Sequence, residues 1–404
     1  MPEVLPLRLR DRRPGRIRPR LGPIRDALAR LGDPQVASPS IIIVGTNGKG
    51  STAAVLEAIL ESHGVSTGLT TSPHLVSVEE RIRIGGRTID WADLERHLES
   101  LANDDDLTFF ETITAAAFLA FAEAGVEVAV LEAGMGGSWD ATRVAASTIA
   151  GITNVGSDHA AWLGEDVLDR TRDKGAPLRS ASRAVMGSGL APELHSALGS
   201  PHAVPARELI EVTALDHGRL LIAWDDVTLE APSPLSGRHQ IANVQLALAL
   251  ARCAEAEGVL ARLEPEAVVR GLAGVRWPGR LSEHILGGRK ILVDAAHNLE
   301  GAEALAAHLS RSPERYSLLF SCLDDKDVEA MAGVLEPVVG EIAVCQLDDE
   351  RAMAVDRVAA AFSNTLLSPD PLAALDSLPD PVVAAGSLRL VGALLELAEG
   401  GVGS

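Results

Sequence analysis

A chain of 404 residues, 47% of them apolar, is long for one domain and rich enough for packed cores, so it is neither disordered nor fibrous. Its formal charge of −20 argues against nucleic acid as a main partner, while phosphates and carboxylates stay open as local ligands. No apolar run nears the roughly 20 residues that span a bilayer, and three scattered cysteines without a CxxC suit a reducing, cytoplasmic compartment.

The Arg- and Pro-rich opening lacks the apolar core of a signal peptide, and Glu3 and Asp11 argue against a transit sequence. Ser40–Val44 predicts a buried strand, followed by a Gly-rich turn and a helix over 51–63 that Gly64 stops. A strand over 68–70 precedes a helix over 108–124, ended by Gly125, and further strands over 126–131 and 147–153. Such alternation predicts a parallel sheet covered by helices. Between Pro201 and Pro234 the texture shifts to short strands, including Arg219–Trp224 and residues 227–230, which read as a small antiparallel insert. A helix over 240–257 follows, and Arg276-Trp277-Pro278-Gly279 reads as a hinge.

A second series then starts over. Strands at 290–293, Ser317–Phe320, 341–346 and Val382–Ala385 alternate with helices at 300–310, Val328–Leu335, 353–363 and 388–399. The expected fold class is α/β: a P-loop ATPase-like, parallel-sheet N-terminal domain over 1–275 and a smaller Rossmann-like C-terminal domain over 276–404, facing each other across a ligand cleft.

Arginine supplies nearly all the basic residues; the only lysines are Lys49, Lys174, Lys290 and Lys326. Each invites a chemical explanation, except Lys290, which lies beside Arg289 at a strand edge. Lys49 sits in Gly45-Thr46-Asn47-Gly48-Lys49-Gly50-Ser51-Thr52, between a strand and a helix. Glycines there let backbone N–H groups curl toward phosphate oxygens, and the helix adds its positive N-terminus. Lys49 supplies a point charge for β and γ phosphates, and Ser51 or Thr52 a hydroxyl near the nucleotide's metal. The loop departs from GxxxxGK[ST], because it is short before Lys49 and Gly50 intervenes before Ser51.

Glu132 closes an apolar strand, expected two strands from that loop, where a carboxylate facing the crevice is a natural Mg²⁺ ligand. Phe109 or Phe110 and Trp139 offer flat faces to a planar heteroaromatic, with core packing a serious competitor for the Phe pair.

Gly45–Thr52, read as GTNGKGST, resembles the phosphate loop of the folylpolyglutamate synthase branch of the Mur ligase superfamily. Cell-wall Mur ligases carry GTNGKT or GTNGKS without the inserted Gly50. Thr71-Ser72-Pro73-His74-Leu75 is similar to the family's S-P-H-L loop, and the resemblance implies that Ser72 faces the metal while Pro73 and His74 flank the folate. Thr153-Asn154-Val155-Gly156-Ser157-Asp158-His159 resembles T-x-x-G-x-D-H, whose His holds a second Mg²⁺. Lys174 falls where the family carries a carbamylated lysine, although Asp173-Lys174-Gly175-Ala176 departs from the usual Glu-Lys-Ala-Gly. Thr108-Phe109-Phe110-Glu111 and Trp139-Asp140-Ala141 resemble the segments lining the pteroate pocket.

Further along, Asn243 of the H-Q-x-x-N match and Arg280 of W-P-G-R-L are implied nucleotide contacts. Asp294-Ala295-Ala296-His297-Asn298 resembles D-x-A-H-N, with Asp294 on the nucleotide and His297 near the incoming glutamate; the usual proline after Asn is Leu299. Asp325-Lys326-Asp327 and Gly386-Ser387-Leu388 match late signatures. The resemblance spans about Leu21 to Leu395. It implies an ATP-dependent ligase adding L-glutamate to dihydropteroate and/or tetrahydrofolate (poly)glutamates through an acyl phosphate, with two Mg²⁺ ions. A monovalent cation is left open, and a monomer without nucleic-acid or membrane partners is expected. The competing readings are a cell-wall Mur ligase acting on a UDP-muramyl peptide, which Gly50 opposes, and a nucleotide switch, which would not need His159 and Lys174 together.

Overall fold

A computed structural model describes residues 19–145, 147–158 and 160–400; the Arg- and Pro-rich opening lies outside them. The chain divides into two compact units. One runs to Pro234 and resumes over Gln240–Arg276; the other comprises Leu235–His239 and the residues from Trp277 onward.

Eight strands form the main sheet of the first unit: β1 (Ser40–Val44), β2 (Thr67–Thr70), β3 (Ile82–Ile84), β4 (Arg87–Thr88), β5 (Val128–Glu132), β6 (Ile149–Ile152), β7 (Arg183–Met186) and β8 (Ala203–Pro205). Their order is β4-β3-β2-β5-β1-β6-β7-β8. From β2 to β8 every pairing is parallel, and the β3–β4 hairpin adds an antiparallel edge. Every residue of β1 and β5 is buried, so both read as apolar runs without the alternation of a half-exposed strand.

Helices α1 (Gly22–Arg30), α2 (Lys49–Ser62), α3 (Trp91–Ser100) and α4 (Phe109–Ala124) accompany this sheet, and Leu28, Ile42, Leu94, Ile113, Phe118 and Ile152 share its core. Helix α4 opens on a reciprocal cap: Thr108 N–H donates to Glu111 Oε2 at 2.8 Å and Glu111 N–H to Thr108 Oγ1 at 3.3 Å. Helix α5 (Val167–Lys174) follows β6, and α6 (His239–Ala256) and α7 (Pro265–Gly274) come after the insert. The insert is the three-stranded antiparallel sheet of β9 (Glu211–Ala214), β10 (Arg219–Trp224) and β11 (Val227–Pro232), in which Leu220, Ile222 and Trp224 alternate inward.

In the second unit six strands run β12-β13-β17-β14-β15-β16: β12 (Ser282–Leu286), β13 (Arg289–Val293), β14 (Ser317–Phe320), β15 (Ile342–Cys345), β16 (Leu366–Ser368) and β17 (Val382–Ala385). Among the described residues of this sheet, only β12 is antiparallel to its neighbour. Helices α8 (Leu299–Leu309), α9 (Val328–Leu335), α10 (Val355–Ala360) and α11 (Pro371–Ser377) connect the parallel strands, and α12 (Leu388–Gly400) follows the last of them. The core holds Leu305, Leu318, Met331 and Val383, with Phe320 edge-on to Phe362 at 5.4 Å between centroids.

Departures from expectation are local: β3, β4, β7, β8 and β12, with α1, α3, α5 and α7, were not marked in the sequence. The helix expected over 353–363 is the shorter α10, and β16 with α11 had no counterpart in the reading of the sequence. Leu366 and Leu367 of β16 are exposed on an edge strand, so no inward periodicity marks them. Among the described residues no helix is long and apolar enough to cross a membrane, and Cys253, Cys322 and Cys345 are free and buried.

Candidate active site

Strand β1 delivers Gly45 to the rim of the sheet, and α2 begins four residues later at Lys49. The turn between them requires glycine at two positions. Gly45 (φ +146°) lies so close to Thr153 that a Cβ would sit 1.9 Å from its Oγ1, and Gly48 (φ +83°) would meet Asn243 Oδ1 at 2.2 Å. Asn154 rivets the turn: its Oδ1 accepts the N–H of Asn47 at 2.9 Å and of Thr46 at 3.3 Å. Thr153 Oγ1 donates to Asn47 O at 2.6 Å, and Gly156 N–H to Thr46 Oγ1 at 2.8 Å. Thr46 and Asn47 therefore spend their amides on support, where the sequence reading had them facing phosphate.

The donors left for an anion belong to the helix. The first intrahelical bond of α2 is Thr52 N–H to Gly48 O, so the N–H groups of Lys49, Gly50 and Ser51 have no partner along the helix and add to its positive end. Lys49 Nζ curls back to Thr46 O at 3.0 Å. Ser51 Oγ and Thr52 Oγ1 are buried with no hydrogen-bond partner among the described residues, an arrangement that a metal-bound phosphate would complete.

Glu132 ends β5, which pairs directly with β1, Ile43 opposite Glu132. That corrects the expected spacing of two strands: strand order in a parallel sheet is set by crossover packing, which chain order does not reveal. The Glu132 carboxylate is buried and its Oε2 accepts the Ser72 N–H at 3.0 Å, which brings two of the three candidate metal residues together. The third, His159, lies outside the described residues. Among the described residues no three His, Cys, Asp or Glu side chains converge; the carboxylate and hydroxyl set at hand consists of hard oxygens, the ligand type Mg²⁺ prefers.

Lys174, at the end of α5, is 1% exposed and donates from Nζ to Gly45 O at 3.0 Å. Burial, then the repulsion of Lys49, pulls its amine down to about 7, against the attraction of Asp173, Asp158 and Asp140. A substantial uncharged fraction is thus present at neutral pH.

Of the residues expected around the acid, His74 is buried and its Nδ1 accepts from Arg81 Nε at 2.8 Å. Arg81 also lies over the Phe109 ring, 5.1 Å from its centroid. Phe109 belongs to the apolar core, whereas the half-buried Phe110 ring crowds Gly134, where a Cβ would come within 2.7 Å. Glu111 keeps a buried Oε1 without a partner. Trp139 is 57% exposed, beside buried Asp140 and Ala141. Asp140 accepts from Met135 N–H and Thr142 N–H, each at 3.0 Å, and from Thr142 Oγ1 at 2.6 Å; burial raises its pKa.

Sequence reasoning passed over Asn154, Arg81, Asp173 and Glu80. The Glu80 carboxylate accepts the N–H groups of Leu75, Val76 and Ser77, each at 2.8 Å, and shapes the loop after Ser72. The Ser77-x-x-Glu80 capping box was the available signal. Asp173 accepts Gly137 N–H at 2.9 Å.

In the second unit Asp294, just past β13, is buried and accepts Leu281 N–H and Ala296 N–H, each at 2.9 Å. Burial raises its carboxyl against the pull of Arg280. His297 Nδ1 donates to Ala295 O at 2.8 Å, a bond that fixes its tautomer, and Asn298 caps α8. Lys326 is largely buried beside Asp325 at 3.4 Å.

Two family models match the chain: Mur ligase middle domain over residues 43–165, and Mur ligase, glutamate ligase domain over 279–391. A Mycobacterium tuberculosis dihydrofolate synthase/folylpolyglutamate synthase is 36% identical, across 92% of this chain and 83% of its own length. The solved structure of Escherichia coli FolC in complex with DHPP and ADP aligns with a TM-score of 0.87 at 26% identity, covering 98% of this chain and 96% of that one. A Yersinia pestis bifunctional folylpolyglutamate synthase/dihydrofolate synthase complexed with AMPPNP and Mn ion gives 0.83 at 26% identity, over 96% and 95%.

Proposed function

The chain belongs to the dihydrofolate synthase/folylpolyglutamate synthase family of Mur ligases, and from that premise we propose that it is an ATP-dependent ligase joining L-glutamate to dihydropteroate and/or tetrahydrofolate (poly)glutamates. The observation that carries the reading is the buried Glu132 carboxylate one strand from a phosphate loop with two buried, unpartnered hydroxyls, Ser51 and Thr52.

A carboxylate does not condense with an amine at neutral pH, because its oxygen is a poor leaving group. Transfer of the ATP γ-phosphoryl to that oxygen gives an acyl phosphate and ADP. Attack by the glutamate α-amine then forms the amide, releasing phosphate and a proton. Lys49 and the N–H groups opening α2 bind the triphosphate and stabilise charge on the transferring group. Asn243, against Gly48, adds a nucleotide contact; a nucleotide role for Arg280 and Asp294, and a glutamate role for His297, rest on the family resemblance of their motifs. Pro73, His74, Thr108, Phe110, Glu111, Trp139 and Asp140 accommodate the acid, with Phe109 and Ala141 packed behind them.

Bound Mg²⁺ would supply Lewis-acid stabilisation of the phosphoryl oxygens, held by Glu132, Ser72 and the Ser51 or Thr52 hydroxyl, with His159 on a second ion. The uncharged amine of Lys174 is suited to add CO₂ with loss of a proton, giving an anionic carbamate. Metal- and nucleotide-loaded crystals test this step, and a bare amine there would refute it. Three free buried cysteines suit the cytoplasm.

ADP release tests the reading. It should require ATP, Mg²⁺, a pteroate-type acid and glutamate together. Turnover with none of these acids, but with a UDP-muramyl peptide, would sink it.

A further inference from the structure

Helix α5 is inverted. Its buried residues are Arg170, Thr171 and Lys174, while Val167 and Leu168 are 36% and 37% exposed. Burial of apolar surface would turn this helix the other way, so polar contacts hold it. Lys174 reaches Gly45, as described above. Arg170, one turn earlier on the same face, donates from Nε to Gly156 O at 3.0 Å and from Nη1 to Gly164 O and Glu165 O, each at 2.8 Å.

All three bonds end on backbone carbonyls, and among the described residues no carboxylate pairs with this guanidinium. A buried cation without a counter-ion is costly, and the fold places this one beside the phosphate loop. Gly156, held by its carbonyl, donates its own N–H to Thr46 Oγ1 at 2.8 Å. Arg170 therefore stands two hydrogen bonds from the loop, and its planar fork gathers both ends of segment 156–165.

We propose that Arg170 is a positioning residue for nucleotide binding: it fixes the segment after β6 against the phosphate loop so that Thr46, and with it the turn into α2, is set before the nucleotide arrives. The inference rests on the phosphate-loop reading above. A lysine would keep the charge but lose the fork, which separates geometry from electrostatics.

The test is titration of Mg-ADP into the full chain, Arg170→Met and Arg170→Lys, with melting temperatures recorded alongside. The binding titration needs neither acid nor glutamate, so its outcome stands apart from that of the ligation assay, in which the two KM values are read. Affinity for Mg-ADP should fall about tenfold in Arg170→Met and recover only in part in Arg170→Lys, while the KM for glutamate stays within about twofold. If Arg170→Met does not fold, Arg170→Lys carries the test with the same expected direction. Folded variants that bind Mg-ADP as the unsubstituted chain does would overturn the proposal; so would full recovery in Arg170→Lys, or an equal rise in the KM for ATP and for glutamate.

Discussion

Lys174 Nζ lies 3.0 Å from the carbonyl oxygen of Gly45, tying the last residue of α5 to the first residue of the phosphate loop. Its amine titrates near 7 in the folded chain, against an ordinary value of 10.5. Between those values the unfolded chain holds the extra proton, so stability rises with pH through that window, and the full penalty applies below about 7. Urea unfolding in CO₂-free buffer should show that rise, at most about 5 kcal/mol, and Lys174→Met should flatten it. Parallel curves for the two proteins would contradict the assignment.

The phosphate loop predicts a contrast between two glycines. Gly48→Ala would drive a Cβ to 2.2 Å from Asn243 Oδ1, whereas Gly64, also at positive φ (+82°), has nothing within 4 Å. Gly48→Ala should abolish nucleotide binding; Gly64→Ala should cost about 1 kcal/mol of stability and leave binding intact. Lys49→Ala should keep the fold and lose ligation by roughly a thousandfold. Calorimetric binding of Mg-ADP checks the pair of glycines, and retained turnover in Lys49→Ala would remove the loop assignment.

Glu132→Gln should raise the Mg²⁺ concentration needed for half-maximal activity by about tenfold or more. The Ser72 N–H can still donate to the amide oxygen, so the loop should keep its place. An unchanged Mg²⁺ titration would exclude Glu132 as a ligand.

Glu57, on α2 beyond the loop, is a separate stability lever. Burial, opposed by Arg83, raises its carboxyl from 4.5 to about 7. Arg83 Nη2 lies 3.1 Å from Oε2, and Oε1 is buried without a partner. The folded chain keeps its proton longer than the unfolded one, so stability falls as pH rises from 4.5 to 7. Glu57→Gln should therefore stabilise the protein above pH 7, by at most about 3 kcal/mol, and change little near pH 4. Equal effects at both pH values would show that burial of the charge is not the cause.

Local chemistry was legible from the chain; long-range placement was not. Ser40–Val44 and Gly45–Thr52 announce themselves, since an apolar run followed by glycines and a lysine admits few structures. The neighbour relation of Glu132 to the loop depends on where β5 inserts, and Ile43 opposite Glu132 has no local signature. Asn154 reads as an ordinary residue after a strand until its Oδ1 is seen holding two amides. Helix α5 misleads outright, because Val167 and Leu168 are its apolar residues and face solvent. There hydrogen bonds to three loop carbonyls outweigh the hydrophobic pattern, as happens at functional sites.

Oxygen tracing tests the activation chemistry most directly. With pteroate-type acid carrying ¹⁸O in its carboxylate, ATP, Mg²⁺ and glutamate, an acyl phosphate requires that the phosphate released with each amide bond contain an oxygen from the acid. Labelled phosphate alongside ADP is the expected result. Unlabelled phosphate, or label appearing in AMP, would contradict the mechanism and the assignment of the phosphate loop to γ-phosphoryl transfer.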